Sequence, residues 1–144
     1  MSSPTLFNPR WGISERLYLA DVDRLADPLL RRVADVLRSH YTAACTFAPG
    51  HRVLDLACGS GYGTRILRDA GAREVIGCDL SEAPLSHARQ HFGGDGISFV
   101  QGDAQTLKWG HRFDLICSFE TIEHLSEPWR LLDRVDELLA PDGV

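Results

Sequence analysis

The chain has 144 residues and a formal net charge of −5, with 44% hydrophobic and 24% charged residues. That is enough for one domain with a core, short for two, and too apolar for a disordered chain. An acidic balance gives no general attraction to nucleic acid. The densest basic stretch, Arg31, Arg32 and Arg38, is interrupted by Asp35 and reads as the solvated face of a helix. No apolar run approaches a membrane span, and the opening MSSPTLFNPRWGISER has no apolar signal core. A cytoplasmic protein with no membrane partner is therefore expected. Cys45, Cys58, Cys78 and Cys117 are widely spaced, with no CxxC pair, so thiols buried in strands are expected rather than zinc ligands.

Residues 1–27 mix Pro4, Pro9, Gly12, aromatics and charges, and read as an arm. From Pro28 to Ala44 the apolar positions Leu29, Leu30, Val33, Val36, Leu37 and Tyr41 form a helical stripe, with Pro28 suited to the first turn. After Pro49-Gly50, strand and helix alternate. His51–Ala57 is a strand, Gly61 or Tyr62 to Ala70 a helix closed by Gly71, and Glu74–Asp79 a second strand. Ser81 is a plausible N-cap for the next helix, with Pro84 in its first turn. Ile97–Gln101 and Phe113–Ser118 are the third and fourth strands. Ser126 and Pro128 open a helix with inner face Leu131, Leu132, Val135, Leu138 and Leu139. Strands separated by helices imply right-handed βαβ units and a parallel sheet, in an α/β/α sandwich of the Rossmann-like kind. Pro141-Asp142-Gly143 is a turn, and Val144 reads as the first residue of another strand.

The most informative segment is Val53-Leu-Asp-Leu-Ala-Cys-Gly-Ser-Gly-Tyr-Gly-Thr64. A strand, a glycine turn and a helix bring a ligand against bare backbone at a helix N-terminus. Counted from Gly59 and Gly61, the third position of a dinucleotide fingerprint is Thr64, which fits poorly, and no lysine is present for a phosphate loop. Asp55, four residues before Gly59, would repel pyrophosphate and suits a ligand with an ammonium group. Asp79, 20 residues beyond Gly59, ends the second strand. In nucleoside-binding Rossmann folds an acid there accepts ribose hydroxyls. The alternative is that Asp79 only caps the helix that follows.

Val53–Thr64 resembles the first motif of class I S-adenosylmethionine-dependent methyltransferases, particularly the small-molecule group that includes the ubiquinone-biosynthesis enzymes. Val75–Ser81 resembles their second motif, Gly102-Asp103-Ala104 the third, and Phe113–Leu125 the fourth. Four motifs in order, over residues 50–144, are far more specific than any one. The resemblance implies that Asp55 and the loop of Gly59, Ser60, Gly61 and Gly63 hold the methionine part of the cofactor. It also implies that Asp79 takes the ribose, that Leu80 packs on adenine, and that Asp103 with Ala104 reads the adenine edge. Ser118 completes the implied cofactor set. Ala57 stands where the family often has glycine, a change expected to matter little. The sulfonium makes the methyl group an electrophile, so alignment of an acceptor and exclusion of water are expected to carry the rate.

Glu120-Thr-Ile-Glu123-His124 is the remaining candidate for chemistry. On a helical turn Glu120 would share a face with Glu123 or His124. Three readings stay open: His124 as a pocket-lining base, a structural stretch, or a divalent-metal site like those of some small-RNA 2′-O-methyltransferases. The first is preferred, with no metal expected. His40, His51, His87, His91 and His111 show no shared spacing and are read as surface. Glu15-Arg16 with His40-Tyr41 loosely resembles the leading region of bacterial methyltransferases found near sugar-transfer genes; Tyr41 either reaches the cofactor or packs on its own helix. The family's sheet usually has seven strands and four are read here. The chain is therefore expected to be the cofactor-binding half of an enzyme acting on a small-molecule acceptor. A non-catalytic cofactor-binding module, paired as a homodimer through an open fourth-strand edge, is the alternative.

Overall fold

The computed structural model describes residues 28–144. The arm and its Glu15-Arg16 pair lie outside the described residues. Helix α1 spans Pro28–Ala44, with the proline in its first turn where a missing N–H costs nothing. A 3-10 turn, Cys45–Phe47, leads into strand β1, Arg52–Leu56. There follow α2 (Tyr62–Asp69), β2 (Glu74–Asp79), α3 (Glu82–Phe92), β3 (Ile97–Gln101), β4 (Leu115–Cys117) and α4 (Pro128–Leu138). The expected elements are all present, with ends moved by one or two residues where ladder bonds stop.

The four strands are parallel, in the order β3-β2-β1-β4. Each parallel neighbour must be reached by a crossover, and α2 and α3 supply the first two. The third, residues 102–114, is a loop whose Ala104, Leu107 and Trp109 pack into the core. The central strands are covered on both faces, hence the nearly continuous apolar runs of β1 and β2. Val53, Val75, Leu115 and Cys117 face the layer containing Tyr41 of α1 and Leu67 of α2. Leu54, Leu56, Ile76 and Cys78 face Leu131 and Leu138 of α4, with Phe113 between them. The result is a three-layer α/β/α sandwich, and β1 ends at its middle.

Several expectations need correction. On α1, Leu29 and Val36 are exposed, at 61% and 57%, whereas Ala34 and Tyr41 are buried. This helix packs chiefly on α2 and the 3-10 turn, so a single narrow stripe is covered. On α4, Leu131 and Leu138, two turns apart, define the inner line, and Leu132 points outward at 58% exposure. Cys58, Cys78 and Cys117 are buried free thiols, but Cys45 is half-buried on the 3-10 turn rather than in a strand. His51, His91 and His124 are exposed; His40, His87 and His111 are half-buried.

The outer edge of β4 is not bare. Val144 donates its N–H to Asp114 O at 3.0 Å and accepts from Ile116 N at 2.9 Å, the spacing of a parallel ladder opposite Leu115. Phe113 pairs likewise with Leu139. Val144 thus bridges to β4 at one residue, while β4 remains the last strand of the described sheet. Among the described strands, β3 and β4 are the two edges of the sheet.

Candidate functional site

The site is built where β1 runs into α2. Ala57 (φ 64°), Gly59 (φ 55°) and Gly61 (φ 85°) all adopt the left-handed conformation, and this alternation folds the chain back at the strand's end. Cys58 N–H bonds to Cys78 O at 2.9 Å and Gly61 N–H to Cys58 O at 3.1 Å, fixing the loop to β2 and to itself. Ala57 therefore pays the strain that glycine would avoid, and the expectation that this departure matters little is corrected.

The three glycines serve different ends. A Cβ on Gly59 would meet nothing within 4 Å, so this backbone faces open space. A Cβ on Gly61 would lie 2.5 Å from Ala88 Cβ and 2.8 Å from Phe99 Cζ. Gly61 thus packs closely on α3 and β3, in addition to its left-handed φ. A Cβ on Gly63 would sit 2.0 Å from Tyr41 Cζ, so that glycine lets α1 lay its tyrosine across α2.

Two carboxylates brace this loop. Asp79 accepts Gly59 N–H at Oδ2 (2.8 Å) and Ser81 N–H at Oδ1 (2.9 Å). The second of these bonds closes an Asx turn just ahead of α3, whose N-cap Ser81 makes no side-chain cap bond. A carboxylate has about four acceptor sites, and two remain beyond these bonds. Asp55 is fully buried beneath the loop. It accepts from Thr64 Oγ1 at 2.6 Å and Tyr41 Oη at 3.0 Å. Burial pushes its carboxyl up to about 6; these two hydrogen bonds oppose the rise, and Asp79 adds to it. Asp55 acts from below the loop through its field and its two hydroxyl partners. The Tyr41 ring packs in the core with Leu67 of α2, while its hydroxyl donates to the motif acid. Burial first, then the charge of Asp55, drives its phenol well above the usual range.

The other expected residues fall around the same end of the sheet or just off it. Ser60 is buried in the loop and Leu80 is 67% exposed. Asp103 Oδ1 accepts Gln105 N–H at 2.8 Å in an Asx turn, and Ala104 is buried in the core beside it. Ser118 Oγ, just past β4, is buried with no hydrogen-bond partner. The acidic stretch does not form one face. Ile122–His124 is a single 3-10 turn, while Glu120 stands outside it at φ 52°. Among the described residues no three His, Cys, Asp or Glu side chains are placed to hold a metal ion.

Sequence reasoning missed the rim that α1 lends to the site. His40 Nδ1 lies 3.9 Å from Glu120 Oε1, and its ring is 5.5 Å from that of Phe119. Tyr41 contacts Tyr62 and Phe119 edge-on, at 5.3 and 4.9 Å between centroids. Burial and then Asp55 and Glu120 raise the Tyr62 phenol above its usual range. The contacts of His40 and Tyr41 with Phe119 and Glu120 join residues about eighty positions apart, and no local pattern announces them. A groove of about 410 Å³ opens elsewhere, between the loop after β3 and α4, lined by residues that include Gln105, Lys108, Trp129 and Arg134. The glycine loop does not line it.

A parallel sheet whose glycine loop and two acids meet at the carboxyl ends of β1 and β2 defines a nucleoside-cofactor protein. Residues 54–144 match the family described as "Methyltransferase domain". The chain is 36% identical over 105 residues to the ubiquinone biosynthesis O-methyltransferase of Actinobacillus pleuropneumoniae, covering 66% of this chain and 44% of that one. It is 35% identical over 136 residues to the enzyme of that name from Ruegeria pomeroyi, covering 92% and 54%. An S-adenosylmethionine-dependent methyltransferase from Mesorhizobium loti superposes with a TM-score of 0.65 at 33% identity, over 72% of this chain and 48% of that one. The chain belongs to the class I S-adenosylmethionine-dependent methyltransferases. It spans about half the length of the curated relatives it matches.

Proposed function

We propose that residues 28–144 form the S-adenosylmethionine-binding half of an enzyme that methylates a small-molecule acceptor, with residues 1–27 as a leading arm. The observation that carries this is the open backbone at Gly59, held by Asp79 from β2 and facing space that a Cβ would not fill. Three further features fit such a cofactor. Asp79 retains acceptor capacity for ribose hydroxyls. Leu80 offers an uncovered apolar side chain for adenine beside the Asp103 turn. Ser118 Oγ is a buried hydroxyl in need of a partner.

When bound, S-adenosylmethionine supplies a methyl group already activated by its sulfonium. The work left to the chain is binding, orientation and exclusion of water. Gly59, Ser60 and Gly61 present backbone; Asp55 supplies negative potential from below, favouring a cationic methionine end; Ala57 and Gly63 set the path of the loop and its contact with α1. Asp103 and Ala104 shape the adenine edge. On the acceptor side we place His124 as proton acceptor, exposed on the turn after β4. Free buried thiols suit a cytoplasmic setting. No helix among the described residues is long and apolar enough to cross a membrane. Pairing with a second copy would run through a sheet edge, β3 or β4.

Amide NMR during titration with S-adenosylhomocysteine tests the placement. The resonances of Gly59, Gly61 and Leu80 should move. Shifts confined to Lys108 and Trp129, or none at all, would refute it.

A further inference from the structure

The methyl-transfer site leaves unused the groove of about 410 Å³ between the loop after β3 and α4, a volume within the range of small-molecule sites, roughly 300–1,000 Å³. Two rows of α4 form one wall: Trp129 with Asp133, and Arg130 with Arg134. Each pair is four residues apart and so lies one above the other on the helix. Lys108 lines the groove from the loop side. Lys108, Arg130 and Arg134 thus meet a single lining carboxylate, Asp133, which leaves two positive charges in excess. Glu127 and Glu137, the partners of the two arginines, lie outside the lining. Arg130 meets Glu127 at 2.9 Å with both side chains open to solvent, and such a pair is weak and exchanges readily for another anion. Arg134 is only 17% exposed and is fixed by Glu137, so its charge is already in place. Lys108 is exposed and makes no ion pair among the described residues. Trp129 is exposed as well, a large flat apolar surface beside these cations.

We propose that this groove binds a small phosphate monoester of a flat aromatic ring, with the ring on Trp129 and the phosphoryl oxygens on Lys108 and Arg130. A phosphate monoester carries a charge of about −1.5 to −2 near neutral pH, which matches the excess; a carboxylate would leave half of it uncompensated. Arginine offers such oxygens a planar fork and lysine a point charge. Asp133, one turn beyond Trp129, opposes a ligand with anionic groups at both ends. The groove shares no lining residue with the glycine loop, so the site stands apart from the cofactor and does not depend on the methyl-transfer reading.

Two-dimensional NMR of the full chain during titration with phenyl phosphate, inorganic phosphate and phenol tests this. Phenyl phosphate should move the Trp129 indole N–H and the Lys108 amide to saturation in roughly the millimolar range, as a ligand of its size allows. Phosphate alone and phenol alone should each bind about threefold more weakly or worse. Lys108→Gln and Arg130→Gln should each weaken phenyl phosphate by about threefold or more, whereas Arg65→Gln, the same charge change on α2, should leave it unaltered. Trp129→Leu, at an exposed position, should lower the affinity for phenyl phosphate to that for phosphate. No saturable shift at Trp129, saturation confined to residues outside the groove, or a loss in Arg65→Gln as large as in the groove variants would overturn the proposal. Affinity unchanged in both Lys108→Gln and Arg130→Gln, or unchanged in Trp129→Leu, would overturn it as well.

Discussion

Gly63→Ala isolates the contact by which α1 is locked to the cofactor loop. Gly63 lies inside α2 with no positive φ, so backbone conformation does not demand glycine. Helix propensity alone would favour alanine by about 1 kcal/mol. The added Cβ would, however, fall 2.0, 2.1 and 2.4 Å from three atoms of the Tyr41 ring. That ring is 4% exposed and wedged against Tyr62 and Phe119, and it is too rigid to bend aside. Expelling an aromatic ring from a core costs roughly 3–5 kcal/mol, a figure that covers the Tyr41–Asp55 hydrogen bond lost with it. Net of propensity, Gly63→Ala should destabilise the chain by about 2–4 kcal/mol in urea unfolding. The same substitution placed on Tyr41→Ala should change sign and stabilise by up to about 1 kcal/mol, since only propensity remains. Equal destabilisation in both backgrounds would show that Tyr41 is not what Gly63 accommodates.

Three other outcomes follow from the loop. Ala57→Gly relieves a left-handed alanine and should stabilise by about 1 kcal/mol, read from the urea midpoint; a loss of stability would contradict the φ of 64°. Asp55, raised to about 6 from 3.8, holds its proton in the folded state to higher pH than in the unfolded chain. Its contribution to stability is therefore full below about pH 4 and lost as pH rises through about 6, a change of roughly 3 kcal/mol. Asp55→Asn should gain that amount on the wild type between those limits, and a pH-independent difference would refute the assignment. Cofactor affinity should be the same with chelator as with added Mg²⁺, because the proposed contacts are carboxylate, backbone and apolar; a requirement for Mg²⁺ would move the account toward the RNA 2′-O-methyltransferase alternative.

The order of elements was legible because each strand of the parallel sheet is buried on both faces and reads as an apolar run between turn signals. The loop was legible too, since three alternating glycines after such a run are hard to explain otherwise. The reasons for individual glycines were not. Gly61 answers to Ala88 and Phe99, and Gly63 to Tyr41, residues 22 to 38 positions away. The same holds for Asp55: its spacing marks it, but burial under Tyr41 and Thr64 is decided by how α1 docks. Leu132 and Val36 fit a helical stripe on paper and face outward because neighbouring layers cover less of each helix than the periodicity allows.

The most direct measurement is calorimetry of the chain and of Asp79→Ala with S-adenosylhomocysteine. The wild type should bind one equivalent, and the variant should bind roughly ten- to a hundredfold more weakly, the worth of a charged acceptor at about 1.5–3 kcal/mol. A folded wild-type chain that binds none, or a folded variant that binds as well as the wild type, would contradict the assignment of this loop to the cofactor.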